Sequence, residues 1–104
     1  MYLQSALKYK GVIDMEKVII TVVGKDTVGI IAKTCTFLSN ENVNILDISQ
    51  TIVSGYFNMM MVVDISGASD SFEKISGGLE ELGKSIGVSI KCQKEEIFDM
   101  MHRI

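Results

Sequence analysis

The spacing of hydrophobic positions changes along the chain, and the changes divide it into elements. Residues 17–24 are dense in Val and Ile and read as a strand. From there Val28, Ile31, Ala32, Cys35 and Leu38 recur at helical spacing, which predicts an amphipathic helix over 27–40 with Asp26 as its cap. Asn40 to Asn42 ends it. Residues 43–53 return to alternation, with Asp47, Ser49 and Thr51 set against Leu46, Ile48, Gln50 and Ile52. Ser54-Gly55 fits a tight hairpin turn, and 56–65 is the third strand. Asp70 and Glu73 have capping-box spacing. Phe72, Ile75, Leu79, Leu82 and Ile86 then step by three and four, the mark of a one-faced helix, and Gly87 stops it. Residues 88–94 form a last strand, with Val88, Ile90 and Cys92 on one face.

The order is βαββαβ, the ferredoxin-like split βαβ unit of the α+β class. It predicts a four-stranded antiparallel sheet with two helices on one face, followed by a short C-terminal helix. Residues 15–94 make the domain and 95–104 a helical tail. Residues 1–14 lack the pattern, and Met15 stands directly before the first strand. Codons for Lys10-Gly11-Val12 can spell a purine-rich ribosome-binding site, so the expectation is that Met15 is the natural start and 1–14 a leader upstream of it, the alternative being a genuine short extension that packs on the domain or a partner.

One feature of the pattern goes beyond a monomer. A sheet covered by helices on one side needs only one apolar face per strand. Here Val18, Ile20 and Val22 alternate with Ile19, Thr21 and Val23, and the third strand is apolar on both sides as well. An open apolar face is a contact surface. Self-association would cover it, and so would the tail, where Ile97, Met101 and Ile104 share one helical face.

Composition narrows the function. The chain has 104 residues, a net charge of -3 and interspersed charges, which excludes the basic surface that nucleic acid demands. No basic amphipathic helix or long apolar run points to a membrane, and a cytoplasmic location is expected. Cys35 and Cys92 lack metal-site spacing and read as small buried hydrophobes. His102, the single histidine, reads as a terminal surface or intersubunit residue. The segment after the first strand has no Cys pair of a metal chaperone, and no Arg-bearing phosphate loop of an acylphosphatase stands near the first helix. No catalytic or metal-ligating set is found, and no cofactor is expected.

That segment does carry Asp26-x-x-Gly29-Ile30-x-Ala32. A helix start there offers backbone N–H groups, at Val28 and Gly29 in this reading, with room for a carboxylate. A plain cap with a packing glycine would have the same spacing. The run Gly24-Lys25-Asp26-Thr27-Val28-Gly29-Ile30-Ile31-Ala32 resembles the strand-to-helix signature of ACT domains. Asn44-Ile45, Gln50, Phe57 and Met59 resemble the subgroup found in formyltetrahydrofolate deformylase and the glycine-cleavage repressor. The stretch from Met15 to the Asp99-Met100-Met101-His102-Arg103-Ile104 ending is similar to small prokaryotic proteins made of one ACT domain. Many ACT domains have Pro where this chain has Val28.

The resemblance implies a regulatory, non-enzymatic protein. It implies a homo-oligomer, a dimer in the first instance, that binds an amino acid or related metabolite between subunits and acts on a protein partner. The positions it points to are Asp26, Thr27, Val28, Gly29 and Ile30, with Asn44, Ile45 and Asp47. Val28 and Gly29 would give N–H groups to a carboxylate, and Asn44 or Asp47 would meet an amino group. The alternative is a ligand-free homo-oligomeric interaction module.

Overall fold

The computed structural model describes residues 15–25 and 27–101. The elements run β1 (Lys17–Lys25), α1 (Ile30–Asn40), β2 (Asn44–Val53), β3 (Tyr56–Asp64), α2 (Phe72–Ile86), β4 (Val88–Lys94) and α3 (Glu95–Met101). The four strands form one antiparallel sheet in the order β2-β3-β1-β4. This is the ferredoxin-like arrangement the hydrophobic pattern predicts.

β1 lies between β3 and β4 and supplies the floor of the core. Val18, Ile20 and Val22 point to the helices and are essentially inaccessible. Phe57, Met59, Met61 and Val63 line up beside them on β3, with Ile90 on β4. Ile30, Thr34 and Leu38 from α1 and Ile75, Leu79 and Gly83 from α2 close the core from above. Both cysteines are half-buried at its margin. Burial pushes the Cys92 thiol up to about 11, partly offset by a hydrogen bond with Ser76.

The structure corrects three local expectations. First, α1 begins at Ile30, not residue 27, and its N-cap is Gly29 with no side-chain capping bond; Asp26 lies outside the described residues. The buried stripe is therefore Ile30–Thr34–Leu38, and Ile31 and Ala32 face outward. Thr34 can be buried because its hydroxyl donates to Ile30 O at 2.8 Å. Second, the cap of α2 is Ser71, not Asp70: the Ser71 side chain accepts from Lys74 N at 3.3 Å. Third, β2 carries an irregularity between Ile45 and Asp47. That bulge puts Ile45 and Ile48 on the same face.

The turns follow their residues. α1 ends in a Schellman arrangement: Val43 N donates to Leu38 O, Asn42 N donates to Ser39 O, and Asn42 takes the left-handed conformation at φ 63°. Ser54 and Gly55 both have positive φ, as a two-residue hairpin requires.

The second face of the sheet is partly covered from within the chain. Gln93 pairs with Ile19, so the two side chains share that face. Gln93 Nε2 lies 3.1 Å from Met101 Sδ, which places α3 over β1 and β4. Ile19 is only 5% exposed, whereas Val23, four residues along the same face, is 48% exposed. The inner anchor of α3 is the half-buried Phe98, not Ile97, which is exposed.

α2 approaches β4 closely at Gly83. A Cβ there would stand 2.7 Å from Val88 O, a backbone atom that cannot step aside. Six residues earlier on the same helix a Cβ on the exposed Gly77 would meet nothing within 4 Å. The same substitution therefore has opposite signs on one helix. Gly83→Ala should cost about 1–3 kcal/mol through overpacking, outweighing its better helix propensity. Gly77→Ala should gain about 0.5–1 kcal/mol. Urea denaturation of both variants checks this.

A pH effect arises where the end of α1 meets the loop before α2. Glu41 Oε1 is shielded from water with no hydrogen-bond donor. The Glu41 carboxyl is held above its ordinary range by its hydrogen-bonding contact with Asp70, then by burial and the Asp70 charge, with Lys74 opposing. The folded protein thus binds this proton more tightly than the unfolded chain does. The resulting penalty is full above the raised folded value and disappears as pH falls through it. Glu41→Gln should raise the melting temperature at pH 7, and the gain should vanish at pH 4, as read by parallel thermal melts.

Candidate functional site

The site suggested by the sequence has two halves, and the structure places them at opposite ends of the sheet. Lys25 pairs with Tyr56, which pairs with Val53, so residues 27–29 sit at the hairpin end. Lys17 pairs with Asp64, which pairs with Asn44, so residues 44–47 sit at the other end. Eight residue steps separate the two ends, about 26 Å at about 3.3 Å per step. Within one chain the halves are not brought together.

The first half is a helix start built on a left-handed residue. Thr27 donates its hydroxyl to Lys25 O at 3.1 Å, which tightens the turn. Val28 projects at the tip, 95% exposed. Gly29 has φ 90° and ψ 0° and directs the chain into α1. Lys33 N donates to Gly29 O at 2.9 Å, the first bond of the helix ladder. The N–H groups without acceptors in that ladder are therefore those of Gly29, Ile30, Ile31 and Ala32. Val28, expected to be a donor, lies before the helix, and Ile31 and Ala32 enter instead. The Ile30 side chain is 2% exposed and belongs to the core, so only its backbone is open at the helix start.

The second half lies beside the end of α1. Asn44 is exposed, and Ile45 is half-buried. With Cys35, Ser39, Asn42 and Val43 they line an open cleft of about 370 Å³. Small-ligand pockets span a range of about 300–1,000 Å³. Cys35 and Ser39 were not among the expected residues; their i, i+4 spacing on α1 is the signal that puts them on one flank. Asp47 is exposed, and its Oδ1 accepts from Ile48 N at 2.9 Å within the bulge. A second cleft of about 510 Å³, under α3, includes Ile19, Lys91, Gln93, Phe98 and Met101. Among the described residues no three His, Cys, Asp or Glu side chains are grouped as metal ligands. No helix among them is long and apolar enough to cross a membrane. His102 lies outside the described residues.

A ferredoxin-like βαββαβ domain whose first helix starts on a left-handed glycine defines the fold class. The ACT domain family profile matches residues 16–93, and the chain belongs to that family. It is 66% identical over 90 residues to a UPF0237 protein of Bifidobacterium longum, covering 86% of this chain and 100% of that one. It is 50% identical over 90 residues to a UPF0237 protein of Methanococcus maripaludis, covering 86% and 100%. Among solved structures it is similar to an ACT domain protein from Streptococcus pneumoniae, with TM-score 0.71, 40% identity, and 81% and 94% of the two chains covered. The fold is also that of a formyltetrahydrofolate deformylase from Pseudomonas syringae (TM-score 0.71, 20% identity), where the match spans 77% of this chain and 28% of that one. It recurs in a glycine cleavage system transcriptional repressor (TM-score 0.66, 19% identity; 77% and 46% covered).

The turn at Gly29 makes a specific demand. A Cβ there would meet only Lys33 Cε at 3.6 Å, an ordinary contact, so space is not the constraint. The positive φ is. Gly29→Ala should cost about 1–2 kcal/mol through left-handed strain, and Gly29→Asn less, because Asn tolerates that region better. Chemical denaturation of the two variants checks the order.

Proposed function

We propose that this protein is a small-molecule-sensing regulatory domain that binds an amino acid or related metabolite between two subunits and acts through a partner protein. The observation that carries the reading is the separation of the two half-sites. A ligand spanning both needs a second copy. Two-fold antiparallel pairing of β2 edges places residues 27–30 of one subunit toward residues 44–47 of the other.

The β2 edge supports such pairing. It is an outer strand of ten residues, and past Asp47 residues 48–53 carry no charge and no proline. Edges that avoid association are usually blunted by such residues. Ile48 and Ile52 point to the helix side but remain 40% and 55% exposed, since the helix layer stops short of them. A second copy would bury both. In the assembled site, the N–H groups of Gly29 and Ile30 would hold a carboxylate, helped by the helix dipole. Asn44 and Asp47 of the other subunit would meet the amino group. Thr27, Val28 and Ile45 shape the walls, and Asp26 belongs to the same proposed set by its place in the sequence. Ligand binding then shifts the population of assemblies toward the bound form.

The exposure of Val28 favours a second reading. An apolar side chain at a loop tip suits a protein contact as well as a ligand wall, which leaves a ligand-free homo-oligomeric interaction module as the alternative.

A thermal-shift screen against the amino acids separates the two. A ligand at one hundred times its dissociation constant adds about 2.7 kcal/mol, a rise of roughly 10 °C or more for a domain this small. Asn44→Ala should abolish that rise while leaving the unliganded melting temperature within about 1 °C. A folded protein that no amino acid stabilises sinks the sensing reading and leaves the interaction module.

A further inference from the structure

We infer that the open sheet face is a second self-association surface, in which α3 of one copy lies on the part of another copy's sheet that its own α3 leaves bare. The argument starts from lengths. α3 has seven residues and spans about 10 Å. β1 has nine residues and spans about 30 Å. The helix therefore covers only part of the face, and the change from a buried Ile19 to a half-exposed Val23 marks where its cover ends.

Beyond that boundary the face carries four exposed apolar side chains set among polar ones. Met60 and Tyr56 of β3 share it with Val23, and Val53 lies opposite Tyr56. All four are 42–60% exposed. Neutral polar residues lie between and beside them: Thr21 opposite Met60, Asn58 opposite Val23, and Ser49, Thr51 and Ser89 on the flanking strands, with Lys91 beyond. No acidic residue stands among them, and apolar anchors mixed with neutral polar groups match an interface, which is only about as apolar as the rest of a protein surface but poor in charge at its core.

α3 presents the matching surface. Phe98 turns toward the sheet, and Ile97, Met100 and Met101, the last also in contact with Gln93 of its own sheet, follow one another on a single flank at helical angles. They are 47%, 68% and 63% exposed. A soluble surface helix normally keeps such a flank polar, and the polar residues Glu95, Glu96 and Asp99 occupy the remainder here. Both halves of the contact thus belong to every chain. A two-fold axis lets each α3 flank meet the other copy's bare sheet, with each contact made twice.

The available area suits a stable pair. Together the seven side chains expose on the order of 700 Å², near the roughly 800 Å² per partner of a standard interface. This surface lies on the opposite side of the sheet from Ile48 and Ile52 and does not depend on the ligand reading. If both surfaces are used, the assembly is a tetramer built from two kinds of two-fold contact.

Sedimentation equilibrium or light scattering of the full chain and its variants tests the inference. Met60→Glu and Met100→Glu place a charge on either half of the contact, at exposed positions that leave the core untouched; circular dichroism confirms the fold. Each should halve the wild-type mass. Mixing Met60→Lys with Met100→Glu should restore the association lost by each, which loss of folding would not allow. Ile52→Glu serves as the control for the β2 edge. If it lowers the mass while Met60→Glu and Met100→Glu keep the wild-type value, the open-face contact is overturned and β2 pairing stands. If Met60→Glu halves the mass and Ile52→Glu does not, the open-face contact stands and β2 pairing falls. A monomeric wild type at 100 µM, a concentration on the order of that where a weak but specific interface assembles, overturns both.

Discussion

The burial of β1 is the constraint from which the rest of this structure follows. It is flanked by β3 and β4, so its backbone is paired on both sides, and its helix-facing side chains are almost wholly removed from water. Burying a Val or Ile side chain contributes about 1.5–3 kcal/mol, so Val18, Ile20 and Val22 act as the common floor for both helices. Once β1 is central, β2 and β4 must be the edges. The loop leaving β1 then opens at one end of the sheet, and the strand following α1 starts at the other. The separation of the two half-sites is a direct product of antiparallel topology.

Much of this was legible in the sequence, and the reasons differ by element. α2 could be read well because Ile75 and Leu79 lie on a helical stripe whose apolar residues coincide with its buried ones. The 54–55 turn could be read because positive φ at two successive positions restricts residue choice. α1 was legible in part: Leu38 and Cys35 lie on the core side as expected, whereas Val28, Ile31 and Ala32 are exposed. Its apolar residues outnumber those that are buried, and the buried stripe includes Thr34, which no hydrophobic count would select. Local bonding decided that case: a hydroxyl satisfied by its own helix behaves as an apolar group. The bulge at Ile45/Asp47 was hidden for a related reason. An extra residue shifts the alternation by one, and both registers present enough isoleucine to look reasonable.

The candidate site was legible as residue types and not as geometry. Gly29 stands out in the sequence, yet its function as the N-cap itself, in place of Asp26, depends on a φ of 90° that spacing cannot reveal. The second half was visible only through Asn44-Ile45. Its neighbours Cys35 and Ser39 come from an earlier helix and join it only because α1 runs back along the sheet. What no single-chain pattern displays is how two copies fit together. The helices cover one apolar face of the sheet, and α3 covers only part of the other, leaving Val23, Val53, Tyr56 and Met60 exposed.

Ile30 connects these levels. Its side chain is locked in the core against the floor that β1 provides, while its backbone opens the helix at the end where Val28 is fully exposed. An acceptor bound at those amides would be held by a rigid group on one side and by the partner subunit on the other. The rigid side changes little between states, because moving Ile30 would disturb close core packing. In the proposed assembly the adjustable side would be the subunit contact, made by the unprotected β2 edge and the exposed Ile48 and Ile52. In that proposed arrangement ligand binding would act where the structure is weakest, at the junction between copies, and the output expected of the proposal is a change of assembly and not a change of fold.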